Sequence, residues 1–242
     1  AVALPRSGGM ALARSLYEGM APLAARYGVA IAGGDTNSWD GPLVISTTAI
    51  GTVTARGPLL RSGAKPGDRI IVTGEFGGSI LGKHLDFEPR IEEALLLNDR
   101  YTLDAGMDCS DGLSLDLSRL TSESRCGAVL DLSRVPISAA ARQLDADEKG
   151  SGVFFANAEG AMPDSGEKDS RPLGHALSDG EDFELILAVP PDDAARMIAE
   201  QPLAGVPLSD IGEFIDDAGL WELLPGGQRR PLPPRGFEHA LD

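Results

Sequence analysis

Residues 105–120, Ala105-Gly106-Met107-Asp108-Cys109-Ser110-Asp111-Gly112-Leu113-Ser114-Leu115-Asp116-Leu117-Ser118-Arg119-Leu120, run from a short apolar stretch through a turn with two aspartates into a helical stripe of Leu113, Leu117 and Leu120. Two further aspartate-bearing turns, Gly33-Gly34-Asp35-Thr36 and Asp179-Gly180-Glu181-Asp182, also abut apolar runs. A carboxylate beside glycine at a strand end is free to point outward, and the missing side chain lets a phosphate or hydrated cation approach the backbone. Together the three turns read as parts of one metal-phosphate site. Mg²⁺ fits best, because it keeps several waters and is held by one or two carboxylates plus substrate phosphates.

Working outward, Leu12, Leu16, Met20, Leu23 and Tyr27 predict a helix over 11–27, ended by Gly28. Val29-Ala30-Ile31-Ala32 reads as a buried strand, 37–42 as a loop, and Leu43 to about Val53 as a second strand. The turn-rich Arg61–Asp68 segment marks a domain boundary. Beyond it, strands are expected at 69–73, 128–132, 183–189 and 211–214, and helices after the glycine-rich 74–79 loop, at 90–97, from 113, at 138–144 and at 192–200. A hairpin is expected through Pro225-Gly226-Gly227. Residues 145–171 lack apolar periodicity and read as a mobile surface insertion. The result is an α/β protein of α+β type, with 1–61 the remainder of an N-terminal sheet-and-helix domain and 62–242 a second α/β domain. The site is expected between them.

Of 242 residues, 37 are acidic and 21 basic, a formal charge of −16 that argues against nucleic-acid or anionic-membrane binding. A phosphorylated substrate then needs metal ions or local arginines to approach. Two cysteines, Cys109 and Cys126, are too few for a disulfide framework, and no stretch has the length of a membrane-spanning helix. A cytoplasmic location is the default. Ala1-Val2-Ala3-Leu4-Pro5 reads as the end of a strand, so the chain is expected to begin within a domain.

Simpler readings exist. Asp35 also suits an ordinary turn, and Ser110 or Asp111 suits the N-cap of the following helix. The N-cap reading leaves Asp108 unexplained, since two carboxylates at a helix N-terminus repel unless a cation or donor lies between them. Gly77–Lys83 approaches a phosphate-binding loop, but His84 stands where a serine or threonine is required, and a loop that packs a helix on a sheet is the better reading. His84, His175 and His239 are too dispersed for zinc. Cys109 reads as a small buried residue.

The order of these motifs resembles one family. Tyr27–Thr36, then Arg61–Asp68 with Val72-Thr73-Gly74, then Asp108–Leu113, then Gly180-Glu181-Asp182-Phe183-Glu184-Leu185, and finally Gly236-Phe237-Glu238-His239, resemble the thiamine-monophosphate kinases of the aminoimidazole-ribonucleotide-synthetase-related superfamily. The resemblance spans nearly the whole chain outside 145–171. It implies an ATP- and Mg²⁺-dependent phosphotransferase that converts thiamine monophosphate to thiamine diphosphate. It further implies that Asp35, Asp108 and Asp111 hold Mg²⁺, that Gly34, Asp35, Arg61 and Ser110 serve ATP, and that Glu181 and Phe237 contact the thiamine moiety. No covalent catalytic residue is implied, since phosphoryl transfer needs positioning and charge neutralisation. A homodimer formed through the N-terminal sheets is also implied.

The chain departs from the family at Asp179, where the family has glycine, in a longer 37–40 loop carrying Trp39, and in an N-terminal aspartate-rich segment with no counterpart here. These departures motivate two alternatives: another ATP-dependent enzyme of the superfamily with a different acceptor, and a nucleotide-binding or dimerising homologue without catalysis.

Overall fold

Val2–Pro5 forms strand β1 and Gly9–Arg26 the helix α1, in a computed structural model that describes residues 1–151 and 171–238. The chain divides into two units, Ala1–Val53 and Thr54–Asp242, the division falling ahead of the Arg61–Asp68 turn. In the first unit β1 is the central strand. Thr36–Trp39 (β2) pairs parallel to it and Val44–Ile45 (β3) antiparallel.

This differs from the sequence reading in three places. Val29–Ala32 is not a strand: both edges of β1 are taken by β2 and β3, and Val29 and Ile31 remain 59% and 45% exposed. The expected loop at 37–42 instead begins with β2, whose backbone completes the β1 ladder. The expected strand from Leu43 shortens to β3, because β1 offers Val2 and Ala3 as partners and the last bond runs from the Ser46 amide to the Ala1 carbonyl.

The second unit contains β4 (Arg69–Thr73), α2 (Ile91–Arg100), β5 (Ala105–Asp108), α3 (Leu113–Ser124), β6 (Gly127–Leu130), α4 (Ala139–Ser151) and α5 (Arg171–Ser178). It continues with β7 (Leu185–Val189), α6 (Pro191–Glu200), β8 (Leu208–Ile215), β9 (Gly219–Leu223) and β10 (Arg229–Pro231). The strands form one sheet ordered β10-β9-β6-β8-β4-β7-β5, antiparallel except for the β6–β9 pair. Period-two alternation assigns each strand residue to a face. Ile70, Val72, Ile186 and Ala188 join the core shared with Leu113, Leu117 and Leu120 of α3, whereas Ile71, Leu187 and Val189 join the core shared with Leu97 of α2 and Met197 of α6. Helices thus cover both faces. Burial of each such large side chain contributes roughly 1.5–3 kcal/mol.

Three further differences concern the site. The helix expected after the 74–79 loop is reduced to two single 3₁₀ turns, Ser79–Leu81 and Lys83–Leu85, because left-handed Gly78 (φ 76°) and Gly82 (φ 135°) interrupt it. Residues 145–151, placed in the expected insertion, continue α4, while 152–170 lie outside the described residues. Helix α5, which the sequence reading missed, has few apolar positions, among them Leu173, Ala176 and Leu177, all packed on the core.

Candidate active site

Strand β5 ends at Asp108, paired with Leu185 of β7, and the two chains stay joined beyond the sheet. The Cys109 amide donates to the Glu184 carbonyl at 2.8 Å, the Phe183 amide to the Cys109 carbonyl at 2.8 Å, and the Glu181 amide to the Ser110 carbonyl at 2.7 Å. The turns 108–112 and 179–183, far apart in sequence, are therefore one hydrogen-bonded structure. Gly180 permits the approach: a Cβ there would lie 2.7 Å from the Ser110 carbonyl oxygen. Glu181 and Phe183 both adopt left-handed backbone (φ 53°), a strain of roughly 1–2 kcal/mol each that surrounding bonds must hold.

The C-terminal segment joins the same structure. The Phe237 amide donates to the Asp111 carbonyl at 2.8 Å, and the Ser114 hydroxyl donates to the carbonyls of Leu177 and Arg235. Glu181 and Phe237 are thus both anchored by their backbones to the Asp108–Gly112 turn, with exposed side chains. Arg61 and Asp108 line one open cavity of about 530 Å³, with Leu59, Leu60 and Gly106 among its walls. Gly34 and Asp35 belong to the first unit, at the entry to β2, where the Val2 amide donates to the Asp35 carbonyl at 2.8 Å.

The start of α3 is capped from within. Neither Ser110 nor Asp111 is the N-cap, which is Gly112 (φ 121°). Instead the fully buried Asp116 reaches back and accepts the Ser110 and Asp111 amides at 2.9 and 2.8 Å. Burial pushes its carboxyl up, against the Asp111 amide and the Arg119 guanidinium that favour the charged form. Arg119 also pairs with Asp111. The cation that two neighbouring carboxylates require is here a guanidinium at Asp111, while the exposed Asp108 makes no ion pair among the described residues.

This donor set suits Mg²⁺ only as a shared ligand. Among the described residues, no three His, Cys, Asp or Glu side chains stand together as a metal cage. An ion that needs one or two carboxylates and takes its remaining ligands from phosphate and water fits Asp108, with Asp111 available on release from Arg119. Cys109 is buried and burial raises its thiol well above the usual range, so it is inert.

Behind the turn lies a polar core that the sequence did not reveal. Buried Glu184 accepts from Arg90 through Nε and Nη2, both at 2.7 Å, from Lys83 at 2.9 Å and from Thr73 at 2.7 Å. Burial works to raise its carboxyl, but these donors outweigh it and hold it below the ordinary value. Gly74 is required beside it, since a Cβ would fall 2.3 Å from Glu184 Oε1. The Gly77 amide donates to Asp182 Oδ1 at 2.9 Å and the Gly78 amide to Asp179 Oδ2 at 3.0 Å. Two amides and the lysine that a phosphate-binding loop would present are thus committed to internal carboxylates. Asp182 is 1% exposed, its Oδ2 has no partner, and burial pushes it up to about 7.

The second unit is thus a mixed sheet covered by helices on both faces, with joined carboxylate and glycine turns at one end. The family model for the AIR synthase related protein, N-terminal domain, matches residues 1–53, and that for the C-terminal domain matches residues 65–220. The chain is 43% identical over 240 residues to the thiamine-monophosphate kinase of Rhodopirellula baltica, covering 99% of this chain and 68% of that protein. It is 32% identical to that of Caulobacter vibrioides, covering 91% of this chain and 62% of the relative. The fold matches that of AaThiL complexed with AMPPCP and TMP, with a TM-score of 0.66 at 19% identity over 99% of this chain and 72% of that one. The chain belongs to the thiamine-monophosphate kinase family.

Proposed function

We propose that the chain transfers the γ-phosphoryl group of ATP to thiamine monophosphate, giving thiamine diphosphate. Family membership supports the reaction, and the relative complexed with AMPPCP and TMP supports this pair of ligands. The observation that carries the assignment of residues is the backbone bonding that holds Asp108, Ser110, Asp111, Glu181 and Phe237 in one structure. In this reading Asp108, Asp111 and Asp35 hold Mg²⁺, Gly34, Asp35, Arg61 and Ser110 contact ATP, and Glu181 and Phe237 contact the thiamine moiety. Mg²⁺, when bound, neutralises phosphate charge that a chain of −16 would otherwise repel.

The acceptor oxygen belongs to a phosphate monoester whose second ionisation falls near pH 6, so at neutral pH it needs no protein base. Positioning is what the residues supply. Arg61 brings a cation to the cavity beside Asp108, and the strained Glu181 turn presents an exposed carboxylate to the thiazolium cation. Phe237 offers a ring face to the same charge.

The same reading makes 1–61 part of an ATP- and Mg²⁺-binding dimerisation domain and 62–242 the second domain, in a cytoplasmic homodimer. Exposed Tyr17, Met20, Leu23 and Ile50 in the first unit support association through it. No helix among the described residues is long and apolar enough to cross a membrane.

The test is steady-state phosphoryl transfer by the intact protein and its Asp108→Asn variant. Turnover should fall about 100- to 1,000-fold in the variant with its unfolding midpoint retained. Undiminished turnover sinks the role of Asp108, and a wild type that phosphorylates some other acceptor but not thiamine monophosphate sinks the substrate.

A further inference from the structure

Asp179 opens the 179–183 turn, and its carboxylate is engaged from two sides. Its Oδ2 accepts the Gly78 amide at 3.0 Å, and His175 Nδ1 on α5 lies 3.0 Å from both carboxylate oxygens. Asp182 accepts the adjacent Gly77 amide at 2.9 Å, and the Ser79 hydroxyl donates to the Gly180 carbonyl at 2.7 Å. Residues 77, 78 and 79 therefore hold residues 182, 179 and 180 one to one. This grip is separate from the backbone bonds to Cys109 and Ser110.

The gripping loop packs closely on two helices. A Cβ on Gly77 would fall 2.6 Å from the Ala176 amide nitrogen of α5, and one on Gly78 would fall 2.5 Å from the backbone of Ala140 and Ala141 in α4. Glycine lets the loop wedge against both helices, and the loop then fixes the turn. Between the two grips sits Glu181, exposed and in left-handed backbone, whose direction is set by its main chain. A strained conformation persists only while its surroundings over-determine it.

We propose that Asp179, braced by His175, is a positioning residue that ties the Glu181 turn to the Gly77–Ser79 loop and so sets the affinity for thiamine monophosphate. The proposal rests on the reading of Glu181 as a substrate contact. Asp179 acts through the Gly78 amide and touches no substrate itself. Its carboxylate does in this chain what a glycine at the same position cannot.

The experiment titrates thiamine monophosphate into the intact protein holding Mg²⁺ and a non-hydrolysable ATP analogue, for wild type, Asp179→Gly and Asp179→Asn. Amide hydrogen exchange at 77–79 and 179–183 is followed on the same samples. Asp179→Gly should weaken thiamine monophosphate about tenfold, leave the ATP analogue's affinity unchanged and speed exchange at Gly78 and Glu181, whereas Asp179→Asn, which keeps an acceptor oxygen, should stay within about twofold of wild type. Unchanged affinity in Asp179→Gly overturns the proposal, as does an equal loss in Asp179→Asn. If the wild type does not bind thiamine monophosphate, the substrate reading falls and exchange alone decides the brace. Protection lost in Asp179→Gly and kept in Asp179→Asn upholds it, and protection unaltered in both overturns it.

Discussion

Replacing Asp182 with Asn should make the protein more stable at pH 8 while leaving it nearly unchanged in acid. Asp182 is buried, with Oδ1 bonded to the Gly77 amide and Oδ2 unpartnered, so the protonated acid and the amide are near-isosteres in the same surroundings. Burial is the largest cause of its rise from 3.8 to about 7, with Asp179 and Glu184 adding repulsion and the Gly77 amide and Lys83 opposing. The sign follows from proton counting. Between these two values the unfolded chain is ionised at this position and the native one is not, so stability falls as pH rises, by about 1.4 kcal/mol per pH unit. From pH 5 to pH 7 the loss is about 2.3 kcal/mol, since the native carboxyl is already half ionised at pH 7, and it levels off beyond. The Asn variant lacks this titration. Urea unfolding of both proteins from pH 5 to pH 8 should show the stability gap widening by about 2–3 kcal/mol in favour of the variant. Parallel profiles across that range would refute the reasoning.

Glu184→Gln should act in the opposite sense, because it leaves Arg90 and Lys83 half-buried beside a neutral amide, at a cost of about 3–5 kcal/mol at pH 7. Since Glu184 titrates below its ordinary 4.5, its contribution is present above that pH and lost as acid takes the native carboxyl through its lowered value. The difference between variant and wild type should therefore shrink in strong acid, and equal unfolding midpoints at pH 7 would count against the polar core. Gly236→Ala places a Cβ 2.1 Å from the Asp111 carbonyl oxygen and 2.8 Å from Leu115 Cβ. Displacing residues 235–237 should cost about 1–3 kcal/mol and weaken thiamine monophosphate more than an ATP analogue, as titration of each ligand would measure. Equal losses for both ligands would separate Phe237 from the thiamine moiety.

The sequence by itself determined the turn and helix at 108–124, the strands near 69–73, 128–132, 183–189 and 211–214, the hairpin at 225–227 and the helical stripes of α1, α2 and α6, because each depends on local periodicity and on glycine at turns. It also determined the family, through motifs in a fixed order. It misplaced the elements of the first unit that follow α1, since whether Val29–Ala32 or Thr36–Trp39 forms a strand depends on which segment reaches the edge of β1. In sequence Asp182 reads as a polar residue just before a strand and Glu184 as one near its start. Only the tertiary structure shows them buried, one opposite the Gly77 amide and the other between Arg90 and Lys83, partners some hundred residues away. The same holds for Asp111, whose counter-ion Arg119 lies two helical turns along α3, and for Asp179, whose acceptor role exists only because α4 and α5 wedge the Gly78 loop against it. Periodicity reports which face of an element is apolar. Which carboxylate meets which amide is decided by long-range packing, which no local pattern encodes.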